Sequence, residues 1–296
     1  AFSCHTLVMR SWLRRTFTSL GPGFITGAAD DDPAGIVTYT QAGTTLGYQG
    51  LWMVLFSLPL MITVQEMCAR IGIVTGCGLA GNMRRRFSRP VVLLLIALLF
   101  AANTLNLGAD LAMMAAATRL ILPLPFPVLV IGLTLLTLTL QIFVDYRSYA
   151  RYLKWLACSL FAYMAVAFVI KIDWLSALRY TLTPSHLLNK EALLLLVAIL
   201  GTTISPYLFF WQTSEEVEEA WGKGRVPKKM TPLIRSRLAL RLRSMRTDVG
   251  VGMVFSNVIA WFIMLLGAAQ LKEAGYTTIT SAHQVAEALV PLAGKF

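Results

Sequence analysis

Three consecutive carboxylates, Asp30, Asp31 and Asp32, followed by Pro33 and Gly35, sit inside an apolar run from about Phe17 to Leu46. Carboxylates are hard oxygen donors suited to a hard cation. At bilayer depth each ionised Asp costs about 2.5 to 3.5 kcal/mol on insertion scales, so packing alone does not explain three of them. Pro33 removes a backbone donor and Gly35 loosens the chain. The helix is therefore expected to unwind here and turn bare carbonyls towards a cavity. A carboxylate beside such carbonyls is a cation site. The plainer alternative is that the Asp run caps a helix at a membrane surface; close apolar flanks on both sides argue for greater depth.

A second interruption reads Gly201-Thr202-Thr203-Ile204-Ser205-Pro206-Tyr207 within an apolar run from about Glu191 to Trp211. Read alone, it is a Pro kink whose freed carbonyls are satisfied by hydroxyls. Paired with the first break it points further. Two interrupted apolar helices, five segments apart, are the pattern of an inverted-repeat transporter whose site lies where the breaks meet.

The weaker candidates have plainer readings beside them. Asp110 lies mid-segment and serves either a cation pathway or an interhelical hydrogen bond. Glu66 stands four residues before Arg70, as in a helical ion pair. Asn103, Asn106, Gln41 and Gln65 read as glue between helices. Cys68 and Cys158 read as buried thiols, and the four cysteines show no CxxC spacing. The three histidines are scattered, which argues against a histidine metal cluster.

The rest of the chain must hold these residues in lipid. It is 56% hydrophobic and 14% charged, against about 25% charged for soluble domains, with a mean hydropathy of +0.65. Each spanning helix needs about 20 apolar residues. Seven segments qualify: about 17–46, 51–73, 91–122, 126–144, 152–172, 191–211 and 249–271. None alternates with period two, which excludes a membrane barrel. The expectation is an all-α membrane protein of about seven transmembrane helices, the first and sixth broken mid-membrane.

The net charge of +11 does not signal nucleic acid, because Lys and Arg fall in bursts between apolar runs. With the N-terminus inside, the inner regions hold 19 of the 26 basic residues, as cytoplasmic loops do. Residues 222–246 are read as an ordinary inner loop, with a lipid-headgroup arm as the alternative. The lead-in before Arg15 lacks signal-peptide order.

The stretches Gly21-Pro22-Gly23-Phe24 through Asp32-Pro33 to Gln41-Ala42-Gly43, then Gln65 to Gly76, then Gly108-Ala109-Asp110-Leu111, resemble the NRAMP divalent-metal transporters. The resemblance runs over essentially the whole chain. It implies a LeuT-type fold of two inverted five-helix repeats, the first over about residues 16–175 and an incomplete second over about 190–296, in one transmembrane domain. It implies a metal site at Asp32, Gly35, Thr202 and Ser205. Asp30, Asp31, Asp110 and Tyr207 are then vestibule or pathway residues. No cofactor is expected; the metal is cargo.

Departures from the family pattern sharpen this expectation. The family's Asp-Pro-Gly-Asn reads Asp32-Pro33-Ala34-Gly35. Its Met ligand is Ser205, the following His is Tyr207, and a family Glu is Met113. The pattern resembles the bacterial NRAMP-related magnesium transporters. Loss of the thioether leaves oxygen donors only, which suits Mg²⁺ with Mn²⁺ tolerated. The alternative is an ordinary proton-coupled Mn²⁺/Fe²⁺ carrier. An intramembrane aspartyl protease is the remote reading, from Gly108-Ala109-Asp110; its Tyr-Asp partner is absent, since Asp145-Tyr146 has reversed order. An amino-acid carrier of this fold would bring a substrate carboxylate against three Asp residues. Residues 282–294 read as the loop before an eighth helix, so the chain is expected to be a fragment. The membrane is expected to be the bacterial cytoplasmic one.

Overall fold

The structure is a computed structural model describing residues 21–119, 122–143, 156–184, 189–221 and 231–271. The basic stretches before residue 21 and around residue 150, and the loop read over 282–294, lie outside these. Eleven α-helices follow in order among the described residues: α1 Pro22–Asp30, α2 Pro33–Leu46, α3 Trp52–Thr75, α4 Leu79–Arg86, α5 Arg89–Arg119, α6 Phe126–Phe143, α7 Phe161–Val169, α8 Trp174–Leu182, α9 Lys190–Thr203, α10 Pro206–Trp221 and α11 Pro232–Leu266. No strand occurs among them.

Five stretches are long and apolar enough to cross a membrane: Trp52–Thr75, Arg89–Arg119, Phe126–Phe143, Lys190–Trp221 and Pro232–Gln270. The broken pair α1–α2 and the shorter Cys158–Val169 complete the seven expected segments. Both predicted interruptions are present, at Asp31–Asp32 between α1 and α2 and at Ile204–Ser205 between α9 and α10.

Local chemistry sets the helix ends. Asp32, Asn189 and Thr231 cap α2, α9 and α11, accepting the backbone N–H of Gly35, Ala192 and Ile234; each offers a first-turn donor the acceptor it lacks. Pro33, Pro206 and Pro232 open α2, α10 and α11, where a missing N–H costs nothing. Asp173 caps α8, and its bonds from Ser176 hold its carboxyl below the usual range. Gly76 ends α3 at φ 63°, in the left-handed region that glycine enters freely.

Helix α11 is the axis of the bundle, against which α1, α2, α3 and α7 pack. In lipid, apolar contact between helices gains little, and close approach at small residues does more. That is what joins α1–α2 to α11. A Cβ on Gly27 would lie 2.3 Å from the Gly252 carbonyl oxygen, and one on Gly43 2.0 Å from that of Met264. By contrast α5 and α6 bury only Val92, Ala115 and Leu129. Their Phe100 is 73% exposed and Phe143 80%, which suits a face turned to lipid.

Interhelical bonds sort the ends into two sides. Trp221 Nε1 donates to the Ile73 carbonyl at 2.9 Å, joining the ends of α10 and α3. Trp261 Nε1 donates to Thr181 Oγ1 at 2.9 Å at the opposite end. Glu66 pairs with Arg70 as expected, and Arg246 reaches Glu66 at 3.4 Å. Gln65 bonds Gln212 across the α3–α10 interface, the glue role expected of it.

Two boundaries differ from the sequence reading. The stretch 222–246 is not all loop, because α11 begins at Pro232. Leu238, Leu242, Met245 and Val249 recur at spacings of four and three and pack on Met61, Ala69 and Ile73. Arg235, Arg237, Arg243 and Arg246 lie between them on the outer face, while Arg241 turns in to Glu219, and the density of basic residues hid a helical stripe. Helix α10 runs ten residues past Trp211. Its acidic stretch stays helical because Gln212, Thr213 and Glu216 are buried against the bundle. The described cysteines, Cys68, Cys77 and Cys158, form no disulfide and are half-buried, less enclosed than the reading of Cys68 and Cys158 as buried thiols.

Candidate metal site

Asp32 lies where the first helix is broken, and its carboxylate does two jobs. Oδ1 accepts the Gly35 N–H at 2.6 Å, so Asp32 is the N-cap of α2, as the plainer reading had it. That cap sits inside the bundle rather than at a surface. Oδ2 accepts from Tyr207 O–H at 2.8 Å and from Asn106 Nδ2 at 3.0 Å. The first break, the residue after the second break's Pro206, and α5 thus converge on one carboxylate.

Gly35 adjoins this point. A Cβ there would stand 3.1 Å from Asp32 Oδ1, 3.1 Å from Thr202 Oγ1 and 3.3 Å from the Asp30 carbonyl oxygen. The missing side chain therefore leaves space among three oxygens, one of them a main-chain carbonyl at the end of α1. Ser205 donates to the Thr202 carbonyl at 2.6 Å and to Gly201 at 3.2 Å. Asp32, Thr202, Ser205 and Tyr207 line one cavity of ≈ 250 Å³ with Asn103 and Asn106.

Every polar atom named here is oxygen or amide nitrogen. Among the described residues no group of three His, Cys, Asp or Glu is placed to hold a metal ion. An ion here would rest on one carboxylate with hydroxyls and carbonyls. The ion pairs among the described residues join Arg70 and Arg246 to Glu66 and Arg241 to Glu219, all away from Asp32. No basic side chain offsets its charge in those pairs, so the cavity favours a cation.

The neighbouring acids face elsewhere. Ser256 Oγ, on α11, bridges Asp30 Oδ2 at 3.0 Å and Asp31 Oδ1 at 3.4 Å. Asp30 Oδ1 and Asp31 Oδ2 are buried without a hydrogen-bond partner among the described residues. Asp31 lines a separate cavity of ≈ 170 Å³ with Phe24, Ala28, Leu156 and Ser159. Asp110 meets the site through Asn106, whose Nδ2 also donates to Asp110 Oδ2 at 3.3 Å.

Asn106 makes an interhelical bond, as expected of packing glue, but to the carboxylate of the candidate site. Its partner is Asp32, and its spacing of four from Asp110 on one helix was the signal available. Asp248 escaped notice altogether. It stands just before the seventh apolar run, among basic residues, and accepts the N–H groups of Gly21 and Gly23 at the start of α1, both at 2.8 Å.

Residues 23–296 match the family described as Nramp, natural resistance-associated macrophage protein-like. The chain belongs to the Nramp family. A divalent metal cation transporter MntH of Aeromonas hydrophila is 28% identical over 284 residues, which are 94% of this chain and 66% of that protein. A Yersinia enterocolitica protein of the same name is 27% identical over 290 residues, 96% of this chain and 67% of that one. A manganese transporter of Eremococcus coleocola, solved as a crystal structure of a mutant, superposes with a TM-score of 0.70 at 21% identity. That match covers 86% of this chain and 52% of the other. The chain thus spans about two thirds of the length of such Nramp relatives and about half of the solved one. The Nramp match and the superposition give the LeuT-type fold that the resemblance implies, and the chain is an integral membrane protein. The relatives are named as transporters and not as enzymes, which removes the protease reading of Asp110.

Proposed function

We propose that this Nramp chain carries a divalent metal cation through the membrane by alternating access, with Asp32 as the charged ligand. The observation that supports this reading most is the meeting of the two helix breaks. Asp32 comes from one, with the Asp30 carbonyl beside Gly35, and Thr202 and Ser205 from the other, around a cavity lined by no Lys or Arg among the described residues. Gly35 would supply space, and Asp110 and Tyr207 the edge of the pathway. Asp30 and Asp31, bridged by Ser256, would stand behind the site and beside the pathway. The repeats would divide at about residues 175–190.

Mn²⁺ is the cargo favoured by the relatives, which are named for manganese or for divalent metals. One observation favours Mg²⁺ beside it: the site offers no soft atom, since Ser205 stands where the resemblance implies a thioether. Mg²⁺ prefers oxygen and keeps its waters. The orientation that suits the charges puts Arg84, Arg85, Arg86 and Arg89 with the start of α11 in the cytoplasm, in a bacterial cytoplasmic membrane. The test is Mn²⁺ uptake into proteoliposomes by the wild type and by Asp32→Ala. Uptake lost in the variant, with insertion retained, is the expected result; equal uptake removes Asp32 from the site.

A further inference from the structure

An ionised carboxylate has about four lone-pair positions, and three of those on Asp32 are taken. Oδ1 holds the Gly35 N–H. Oδ2 holds both Tyr207 O–H at 2.8 Å and Asn106 Nδ2 at 3.0 Å. The second pair differs from the first in origin. Gly35 is local to the cap, whereas Tyr207 is on α10 and Asn106 on α5, the elements facing the broken helix across the cavity. Both donors also line that cavity.

A charged group taken out of water needs a counter-charge or full hydrogen bonding. For a carrier this condition applies twice, once loaded and once empty. Loaded, the cation satisfies Asp32. Empty, something else must do so, or the bare carboxylate resists the change of conformation. Both lone pairs of Oδ2 are filled, so an ion in the cavity that Tyr207 and Asn106 line can ligate Oδ2 only by displacing one of them.

We propose that Tyr207 and Asn106 form a clamp that stands in for the metal on Asp32 Oδ2 and lets the empty carrier reorient. They are positioning residues, acting through Asp32 rather than on the cargo. The clamp competes with the ion and so lowers apparent affinity. Asn106 keeps a second partner in Asp110 Oδ2 at 3.3 Å, so its amide has an acceptor when the ion takes Oδ2. This inference rests on the transport reading above and adds the empty half of the cycle.

Tyr207→Phe removes the hydroxyl and keeps the ring. Three measurements on the purified protein test the clamp: equilibrium Mn²⁺ binding in detergent, Mn²⁺–Mn²⁺ exchange in liposomes, and net uptake. Exchange needs only the loaded carrier, whereas net uptake needs the empty one to return. Loss of one hydrogen bond to a charged group should tighten Mn²⁺ binding by about tenfold. Exchange should persist while net uptake falls several-fold, and Asn106→Ala should move all three the same way. A merely structural role would weaken binding or lower exchange and net uptake together. Unchanged or weaker binding in Tyr207→Phe, or parallel loss of both fluxes, overturns the clamp. Wild-type protein that binds no Mn²⁺ overturns the transport reading with it, which separates the two failures.

Discussion

Asp248 accepts the backbone N–H of Gly23 at 2.8 Å although 225 residues separate them in sequence. Its other oxygen takes the N–H of Gly21. A helix start leaves its first N–H groups without partners, and here α11 supplies the acceptor that α1 does not carry itself, since Gly21 has no side chain to cap with. The half-helix that leads into Asp32 is thus fastened at its first turn to the axis of the bundle.

Replacing Asp248 by Ala should loosen that fastening. Loss of an N-cap acceptor costs about 1 kcal/mol, and burial of the freed donors adds to it. The expected outcome is a lowered melting temperature in detergent and faster proteolysis ahead of Pro22. Asp248→Asn, which keeps one carbonyl acceptor, should lose less. Equal melting temperatures for the wild type and Asp248→Ala would show that α1 is held by other means.

The glycine contacts predict a contrast. Gly27→Leu places a Cβ where the Gly252 carbonyl lies only 2.3 Å away, so α1 and α11 must part. Overpacking of this kind costs about 1 to 3 kcal/mol and should lower the yield of folded protein. At Gly132 on α6 nothing lies within 4 Å of an added Cβ. Gly132→Ala should stabilise by up to about 1 kcal/mol through helix propensity. A thermal-shift assay on both variants reads the difference, and similar shifts would contradict the packing described.

Orientation can be read chemically. Arg85, on the exposed α4, and Arg179, on α8, stand at opposite ends of the bundle. In a background without native cysteines, Arg85→Cys should react with a membrane-impermeant thiol reagent only after the cytoplasmic side is opened. Arg179→Cys should react in intact cells. The reverse pattern would invert the proposed topology.

Much of this architecture is visible in the sequence because its signals are local. A Pro beside Gly or Ser in an apolar run breaks a helix wherever it stands, so both interruptions could be placed to within a residue or two. Asp32, Thr202 and Ser205 follow from those breaks with the family resemblance. What stayed hidden depends on partners far away in the chain. Asn106 looks like any amide in a membrane helix until Asp32 is set beside it. Asp248 looks like a solvated charge among arginines until α1 starts against it. The first turns of α11 were masked by a charge density that the inside-positive rule assigns to loops.

Selectivity is the sharpest consequence of the site. Two positions distinguish this cavity from the pattern that the resemblance implies, Gly35 and Ser205. A side chain built on Gly35 would start 3.1 Å from both Asp32 Oδ1 and Thr202 Oγ1. It would enter the site directly, and those two side chains must yield only a few tenths of an ångström. Ser205 already leans on the Thr202 carbonyl, so a Met there would replace a hydroxyl with a soft sulfur at the second break. Thioether sulfur favours later transition metals, while oxygen suits Mg²⁺ and Mn²⁺. The native protein should therefore show little discrimination between Mg²⁺ and Mn²⁺. The double variant Gly35→Asn with Ser205→Met should shift preference towards Mn²⁺, Fe²⁺ and Cd²⁺. Thr202, hydrogen-bonded into the same group, sets how far the shift goes. The measurement is Mn²⁺ uptake in proteoliposomes against a rising excess of Mg²⁺. Inhibition of the native protein, relieved in the double variant, supports an all-oxygen site that accepts either ion. Native uptake that ignores a large excess of Mg²⁺ would leave manganese as the cargo and show that selectivity here does not come from the sulfur.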